Sequence, residues 1–451
     1  MSALRTASAP IDRRAHLFDV DGAPHLFLSN GSRVYGLGDG DVLRVAAALG
    51  DTDASRFDHL LFDLGLDAPS YIEPTAPTSF PTRALSLAVA QKCNLGCTYC
   101  YAQGGEFGGA ARNMDIEIAL ASVDRLFEKV RPGERVNLAF LGGEPLANRE
   151  IIVAATRHAV HLSQATGADV GFSITTNGTL LTPEDGAFFE QHGFAVTVSL
   201  DGLGEVHDRQ RPTKAGRGTF ERIVGRVAPL LAMQRRMQIS ARVTVTPTNL
   251  RLRETLDGLI DLGFHSVGFS PMLSSPNGRG EMAEGDMMEM LGQMIDCGHA
   301  FEEAIASGER YPFANMATAL AEIHRGTHRP YPCGAGGPYL GVSAEGGLFA
   351  CHRFVNDEAG RLGAVDSGVD EARQRDWLAS RHVDSQSPCR NCWARYLCGG
   401  GCHHEVIARG RPACDYIRGW LHYCLQAYVR LSDNQPHLFM TQPRSPDVVV
   451  W

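Results

Sequence analysis

Apolar positions in the middle of the chain fall into short runs separated by longer amphipathic stretches. The runs at 85–90, 135–141, 169–174, 194–200, 238–246 and 265–270 are each the length of a strand. Their nearly continuous apolarity predicts strands buried on both faces. Between them, residues 115–129, 150–165, 183–192 and 220–235 mix apolar and charged positions at helical spacing and predict helices. Strand and helix in alternation predict a parallel sheet covered by helices, because parallel strands need a crossover. A closed barrel of this kind takes eight units, so six predict an open one.

Before this region, residues 16–20, 25–28 and 34–35 predict short strands joined at Asp21-Gly22 and Ser29-Asn30-Gly31, and residues 41–49 and 55–64 predict two helices. Pro69, Pro74, Pro77 and Pro81 predict an extended linker. After it, 272–285 is loop-like, 286–305 and 315–324 predict helices, and Arg329-Pro330-Tyr331-Pro332 marks a boundary. The predicted division is 1–80, 81–328 and 329–451. The strand-strand-helix order of the first part weakly resembles small leader-peptide recognition domains; an extension packed on the barrel is the alternative.

The chain has 451 residues, 44% hydrophobic and 21% charged, enough for two or three domains with a large core. It contains no apolar run of about 18 residues, so no membrane span is expected. Its first residues lack a signal-peptide pattern, which predicts a cytoplasmic protein. The net charge of −9 is spread without like-charged blocks and offers no nucleic-acid footprint.

The 12 cysteines change the picture. Three, Cys93, Cys97 and Cys100, follow the first run of the barrel region, eight lie at 333–424, and Cys297 stands alone in a helical pattern and reads as packed. Without a secretion signal, such clustering argues for metal or catalysis rather than disulfides. C-x3-C-x2-C on a glycine-containing loop can hold three corners of an iron–sulfur cubane. The fourth iron is then free to chelate a small molecule through an amine and a carboxylate. Zinc prefers four N/S ligands and C-x2-C pairs, and no fourth Cys or His lies nearby.

This spacing, with Tyr99 just before the last cysteine, resembles the radical S-adenosylmethionine (SAM) enzymes. Leu141-Gly142-Gly143-Glu144-Pro145 ends the second predicted strand, where two glycines admit close backbone approach and a carboxylate can accept from a cationic amine. The resemblance implies that Gly142, Gly143 and Glu144 hold the methionyl amino group of SAM. It also places Tyr99, Asn177, Ser199 and Arg211 at the cofactor. By themselves, Asn177-Gly178 and Asp201-Gly202 are ordinary turn dipeptides.

Farther on, Cys333, Gly346-x4-Cys351, Cys389-x2-Cys392-x5-Cys398-x3-Cys402, Cys414 and Cys424 resemble the SPASM extension of radical SAM peptide-modifying enzymes. That resemblance implies two auxiliary [4Fe–4S] clusters. Cys333, Cys351 and Cys402 would hold the inner one, and Cys389, Cys392, Cys398 and Cys424 the outer. Gly334-Ala335-Gly336-Gly337-Pro338-Tyr339 stands where sulfatase-maturing relatives carry a further cysteine. Either Cys414 completes the inner set, or its fourth iron is open to a substrate thiolate. Zinc ribbons need C-x2-C pairs in twos, and this array has one such pair. His403 and His404 read as exposed residues at a loop edge. Trp393, Tyr396, Trp420 and Tyr423 read as packing around the clusters.

The expected fold is therefore α/β: a partial (β/α)6 TIM-like barrel with a small N-terminal α+β region and a C-terminal Cys-rich SPASM domain. The expected cofactors are three [4Fe–4S] clusters and SAM. Expected partners are a peptide or small protein subunit as substrate and a flavodoxin- or ferredoxin-type electron donor, with no nucleic acid and no membrane. The loops at 91–100 and 399–405 are similar to those of the maturases of quinohaemoprotein amine dehydrogenase, which implies thioethers from cysteine sulfur to an Asp or Glu carbon. Related enzymes form carbon–carbon crosslinks or formylglycine. The aspartate base that formylglycine formation uses ahead of the first auxiliary cysteine is missing from 310–318, and the catalytic base is unassigned. A non-catalytic iron–sulfur carrier is the reading from another class, but a carrier would close all four corners of each cluster.

Overall fold

The computed structural model describes residues 14–440, except 52, 74 and 75. The chain start, Pro74 of the predicted linker and the tail beyond 440 lie outside the described residues. Strands β1 (Ala15–Val20), β2 (Ala23–Leu28) and β3 (Arg33–Gly36) form an antiparallel sheet, followed by α1 (Asp39–Leu49) and α2 (Ala54–Asp63). The β1–β2 turn uses Asp21 and Gly22, both with positive φ (52° and 85°), the geometry a tight hairpin of this hand needs. The strand period of two splits the sheet's side chains. Leu26 and Leu28 pack on Val45, Leu49, Phe57 and Leu60 of the two helices, while Phe18, Val20 and Phe27 join the main core of the molecule.

The segment predicted as a linker has no helix or strand among its described residues, but it is fastened. The Asn30 side chain donates to the carbonyls of Ala68 and Pro69 and accepts from the Tyr71 amide, and Ile72 is buried with Val383, Cys389 and Tyr396. Prolines set the extended conformation; these bonds hold it against the body of the protein.

The barrel strands are β4 (Ala84–Gln91), with the short β5 (Arg112–Asn113) antiparallel beside it, then β6 (Arg135–Gly142), β7 (Asp169–Thr176), β8 (Ala195–Ser199), β9 (Gln238–Val245) and β10 (Ser266–Pro271). They run in the order β10-β9-β8-β7-β6-β4, every neighbouring pair parallel. The helices around them are α3 (Ile116–Phe127), α4 (Arg149–Thr166), α5 (Pro183–His192), α6 (Glu205–Gln210), α7 (Phe220–Leu231) and α8 (Leu252–Asp261). Then come α9 (Glu284–Ala306) and α10 (Ala314–Arg325). The order is an open path, as six units predict.

Two features depart from expectation. First, the strands are not apolar on both faces: Thr175, Thr197, Ser199, Arg242, Thr244 and Ser270 line a cavity inside the curve of the sheet, while Ile174, Val196, Val198, Ala241, Val243 and Phe269 are buried in the core. An open barrel encloses solvent and ligands, so its inner face can be polar. Second, the sheet does not stop at the predicted boundary near residue 328. β11 (Tyr339–Val342) pairs parallel with β4, and β12 (Gly347–Phe349), β13 (Arg361–Ala364) and β14 (Gly368–Val369) extend the sheet antiparallel.

The C-terminal part continues with α11 (Glu371–Arg381), α12 (Arg395–Cys398), α13 (His403–Arg409), α14 (Cys414–Asn434) and α15 (His437–Met440). Among the described residues no helix is long and apolar enough to cross a membrane.

Candidate functional site

The carboxyl ends of β4 and β6–β10 open into a cavity of about 610 Å³, the place where parallel α/β folds bind ligands. Its wall includes Cys93, Cys97 and Cys100 from the loop after β4, Gly142 and Gly143 from the end of β6, Asn177 after β7, Ser199 at the end of β8, and Tyr99 and Arg211. The C-terminal part contributes His352, Arg353, Cys402 and Glu405 to the same wall. Residues far apart in sequence thus share one cavity.

The cysteine loop is held from several sides. Gly96 and Thr98 donate backbone bonds to the carbonyls of Pro212 and Gln210 at 2.8 and 3.0 Å. The Asn177 amide donates to Cys93 Sγ at 3.7 Å and to Asn94 Oδ1 at 2.9 Å, and the Leu95 N–H donates to Cys93 Sγ at 3.4 Å. Burial pushes the Cys97 thiol up to about 12, with Arg211 opposing the shift, and burial also raises Cys93. Both are therefore protonated near neutrality unless a metal displaces the proton.

Gly142 and Gly143 are needed for close packing. A Cβ on Gly142 would stand 2.3 Å from the Ala90 carbonyl oxygen, and one on Gly143 would stand 2.4 Å from that of Lys92. Glu144 is fully buried and, contrary to the expected direct contact, does not line the cavity. Its carboxylate accepts from Thr176 Oγ1 and the Asn177 amide, each at 2.7 Å, and from the Leu146 amide at 3.1 Å. It ties β6 to β7 below the cavity floor. Burial raises its pKa, with these donors opposing.

Arg211 Nη1 donates to Tyr99 Oη at 2.7 Å and lies 3.6 Å from Asp201, whose carboxylate also receives the Tyr99 hydroxyl and, at 2.8 Å, the Thr244 amide. Arg211 Nε is buried with no partner among the described residues. Sequence reading missed Asp201, although it follows Ser199 by two residues. It also missed Arg242, Arg353 and Glu405; Arg353 and Glu405 pair at 2.7 Å, and the Arg353 guanidinium lies 5.2 Å from the Tyr101 ring centre.

In the C-terminal array, Cys333, Cys351 and Cys402 lie near enough to perturb one another's ionisation. Cys389, Cys392, Cys398 and Cys414 line a second cavity of about 220 Å³, which Cys402 also borders. The expected outer set had Cys424 in place of Cys414. Cys424 is fully buried on α14, beside Glu302, and touches neither cavity. Cys414, ten residues earlier on that helix, stands in its place.

Two other readings are corrected. His403 is buried at 3% exposure and His404 is half-buried; each has one ring nitrogen without a partner among the described residues, and burial lowers their pKa values to about 3 and 4. Tyr396 packs with Cys389, but Trp393 stacks on His16, Trp420 packs on Phe313, and Tyr423 bonds to Glu302 at 2.5 Å.

Among the described residues no three His, Cys, Asp or Glu side chains converge on one ion, and a cubane holds its ligands apart by its own width. Gly399, Gly400 and Gly401 take positive φ in succession (68°, 95° and 79°), which turns the amides of Gly400 and Gly401 toward the Cys398 sulfur. Such amide concavities favour anionic groups.

Residues 87–228 match the family model described as the radical SAM superfamily. The serine-type anaerobic sulfatase-maturating enzyme of Klebsiella aerogenes is 25% identical over 358 residues, covering 76% of this chain and 84% of that one. The mycofactocin maturase MftC of Mycolicibacterium smegmatis is 25% identical over 385 residues, covering 80% and 85%. Of solved structures, anSMEcpe with bound AdoMet aligns at a TM-score of 0.64 with 20% identity, covering 78% of this chain and 99% of that one. Streptococcus suis SuiB bound to its precursor peptide SuiA aligns at 0.51 with 14% identity, covering 89% and 97%. The chain carries a radical SAM domain and is a radical SAM enzyme. The cofactors of that class are a [4Fe–4S] cluster and SAM.

Proposed function

We propose that the protein modifies a peptide or small protein by radical chemistry, joining a cysteine sulfur to a side-chain carbon of Asp or Glu. One observation carries this reading: Cys402 of the C-terminal array and the three cysteines after β4 line the same cavity. Peptide-acting relatives support the substrate class. When bound, the cluster and SAM supply an electron and a 5′-deoxyadenosyl radical able to take hydrogen from carbon; the thiol proton and one electron would leave as the sulfur–carbon bond forms, the electron to an auxiliary cluster.

In this reading Cys93, Cys97 and Cys100 ligate the SAM-binding cluster, and Asn177 fixes Cys93. Gly142 and Gly143 give the cofactor close access to backbone at the end of β6, with Glu144 as a positioning residue beneath. Arg211 offers its unpartnered Nε to an anionic group of SAM, while Tyr99 and Asp201 hold the guanidinium in place. Cys333, Cys351 and Cys402 hold an inner auxiliary cluster bordering the cavity, and Cys389, Cys392, Cys398 and Cys414 an outer one. The packed wall excludes bulk water from the reacting centre.

The test is anaerobic incubation of the reconstituted protein with SAM, reductant and candidate peptides co-produced with it. Formation of 5′-deoxyadenosine, loss of two hydrogen atoms from the peptide and loss of one alkylatable thiol are expected. A hydrazide-reactive aldehyde instead would assign formylglycine formation, the activity named for the sulfatase-maturating relatives. No 5′-deoxyadenosine under any condition would remove the radical reading.

A further inference from the structure

Three guanidinium groups border the main cavity, and two of them are matched. Arg211 has Asp201 and Arg353 has Glu405. The third, Arg242, has no carboxylate within ion-pair distance among the described residues; its polar partner is the Ser270 hydroxyl. It projects from β9 between two register partners, Ser199 on β8 and Gly268 on β10. Arg242 Nη1 lies within van der Waals reach of the Cβ position at Gly268 (3.5 Å). The side chain is accessible by surface area, but that surface is cavity wall and protein surrounds it.

An anion entering the cavity would meet this uncompensated cation on the wall, and the planar guanidinium fork matches a carboxylate in two parallel bonds. SAM brings one carboxylate and an acidic peptide side chain another, and Arg211 already offers a free N–H to the first.

We propose that Arg242 binds the carboxylate of the substrate's Asp or Glu side chain and so selects an acidic residue for modification. This rests on the peptide-modifying reading of the same cavity.

The test uses the anaerobic, reconstituted full-length protein and a fluorescent peptide containing Cys and Glu, with a Gln-for-Glu counterpart. Binding is read by anisotropy with SAM present and no reductant, so it does not depend on turnover. The wild type is expected to prefer the Glu peptide by about tenfold, a difference of about 1.4 kcal/mol. Arg242→Gln should erase that preference and Arg242→Lys should restore part of it, with iron content as the check on folding. Equal preference in the wild type and Arg242→Gln would overturn the proposal. So would an unchanged peptide preference together with loss of the SAM-induced change in the cluster's electron paramagnetic resonance spectrum, which would give Arg242 to the SAM carboxylate. A wild type that discriminates the peptides yet never cleaves SAM would instead sink the radical reading and leave this assignment standing.

Discussion

Arg211 reaches across the cavity wall to the hydroxyl of Tyr99, donating to it at 2.7 Å, and the same hydroxyl donates to Asp201. The residue just before the last loop cysteine is thereby bonded to the segment after α6. Tyr99→Phe leaves the ring in place but removes both bonds, so the guanidinium loses its fixed aim. SAM binding, measured by anaerobic calorimetry, is expected to weaken about tenfold, in line with a hydrogen bond to a charged group. Iron content should not change, because Tyr99 contributes no ligand.

Replacing Cys93, Cys97 and Cys100 together with Ala should leave the C-terminal sets intact, since those draw their cysteines from 333 onward. Iron per chain is expected to fall from about 12 to about 8, the complement of two [4Fe–4S] clusters. Formation of 5′-deoxyadenosine should stop altogether. Chemical iron assay and chromatography of the SAM products give the two readings independently.

Cys414 and Cys424 provide a sharper comparison because they share a helix. Cys414→Ala is expected to lose about four irons, one [4Fe–4S] cluster. Cys424→Ala should keep full iron and lower stability by about 1–2 kcal/mol, the cost of trimming a small buried side chain. Loss of iron in the second variant and not in the first would restore the assignment that spacing alone suggested.

Spacing and structure point to different residues there for a geometric reason. A cysteine count treats the chain after Cys402 as a flexible tether, but residues 414–434 form one helix. Ten residues of helix separate the two sulfurs by about 15 Å along the axis and turn them to different faces. The helix was legible, since Tyr416, Trp420 and Tyr423 recur at helical intervals and are all buried.

Elsewhere local signals served well. The six strand runs, the Gly142-Gly143 turn and the Cys93–Cys97–Cys100 loop were all legible, because strand length, close backbone approach and ligand spacing are properties of adjacent residues. Arg242 was hidden inside a run read as continuously apolar, although Ser240, Arg242 and Thr244 alternate with Ala241, Val243 and Val245 at the strand period. The pairing of β11 with β4 joins residues some 250 positions apart in sequence, and nothing local to either strand announces it.

The N-terminal sheet meets the C-terminal part through histidines, and this gives a pH dependence. His16 on β1 stacks on Trp393 with ring centres 4.1 Å apart, and its Nε2 lies 2.9 Å from Nδ1 of His422 on α14. Burial, and then His422, lowers His16 to about 3, and burial lowers His422. Two neutral rings can share one N–H···N bond; two cations cannot. In the unfolded chain each would titrate near 6.5, so the folded state binds fewer protons below that value. Their contribution to stability is complete above about pH 6.5 and declines as pH falls toward 3. Hydrogen exchange of the amides in β1 and β2 is therefore expected to be faster at pH 5 than at pH 7 after correction for the intrinsic rate. His16→Phe keeps the stack on Trp393 and should reduce that difference, and a variant as pH-sensitive as the wild type would place the effect elsewhere.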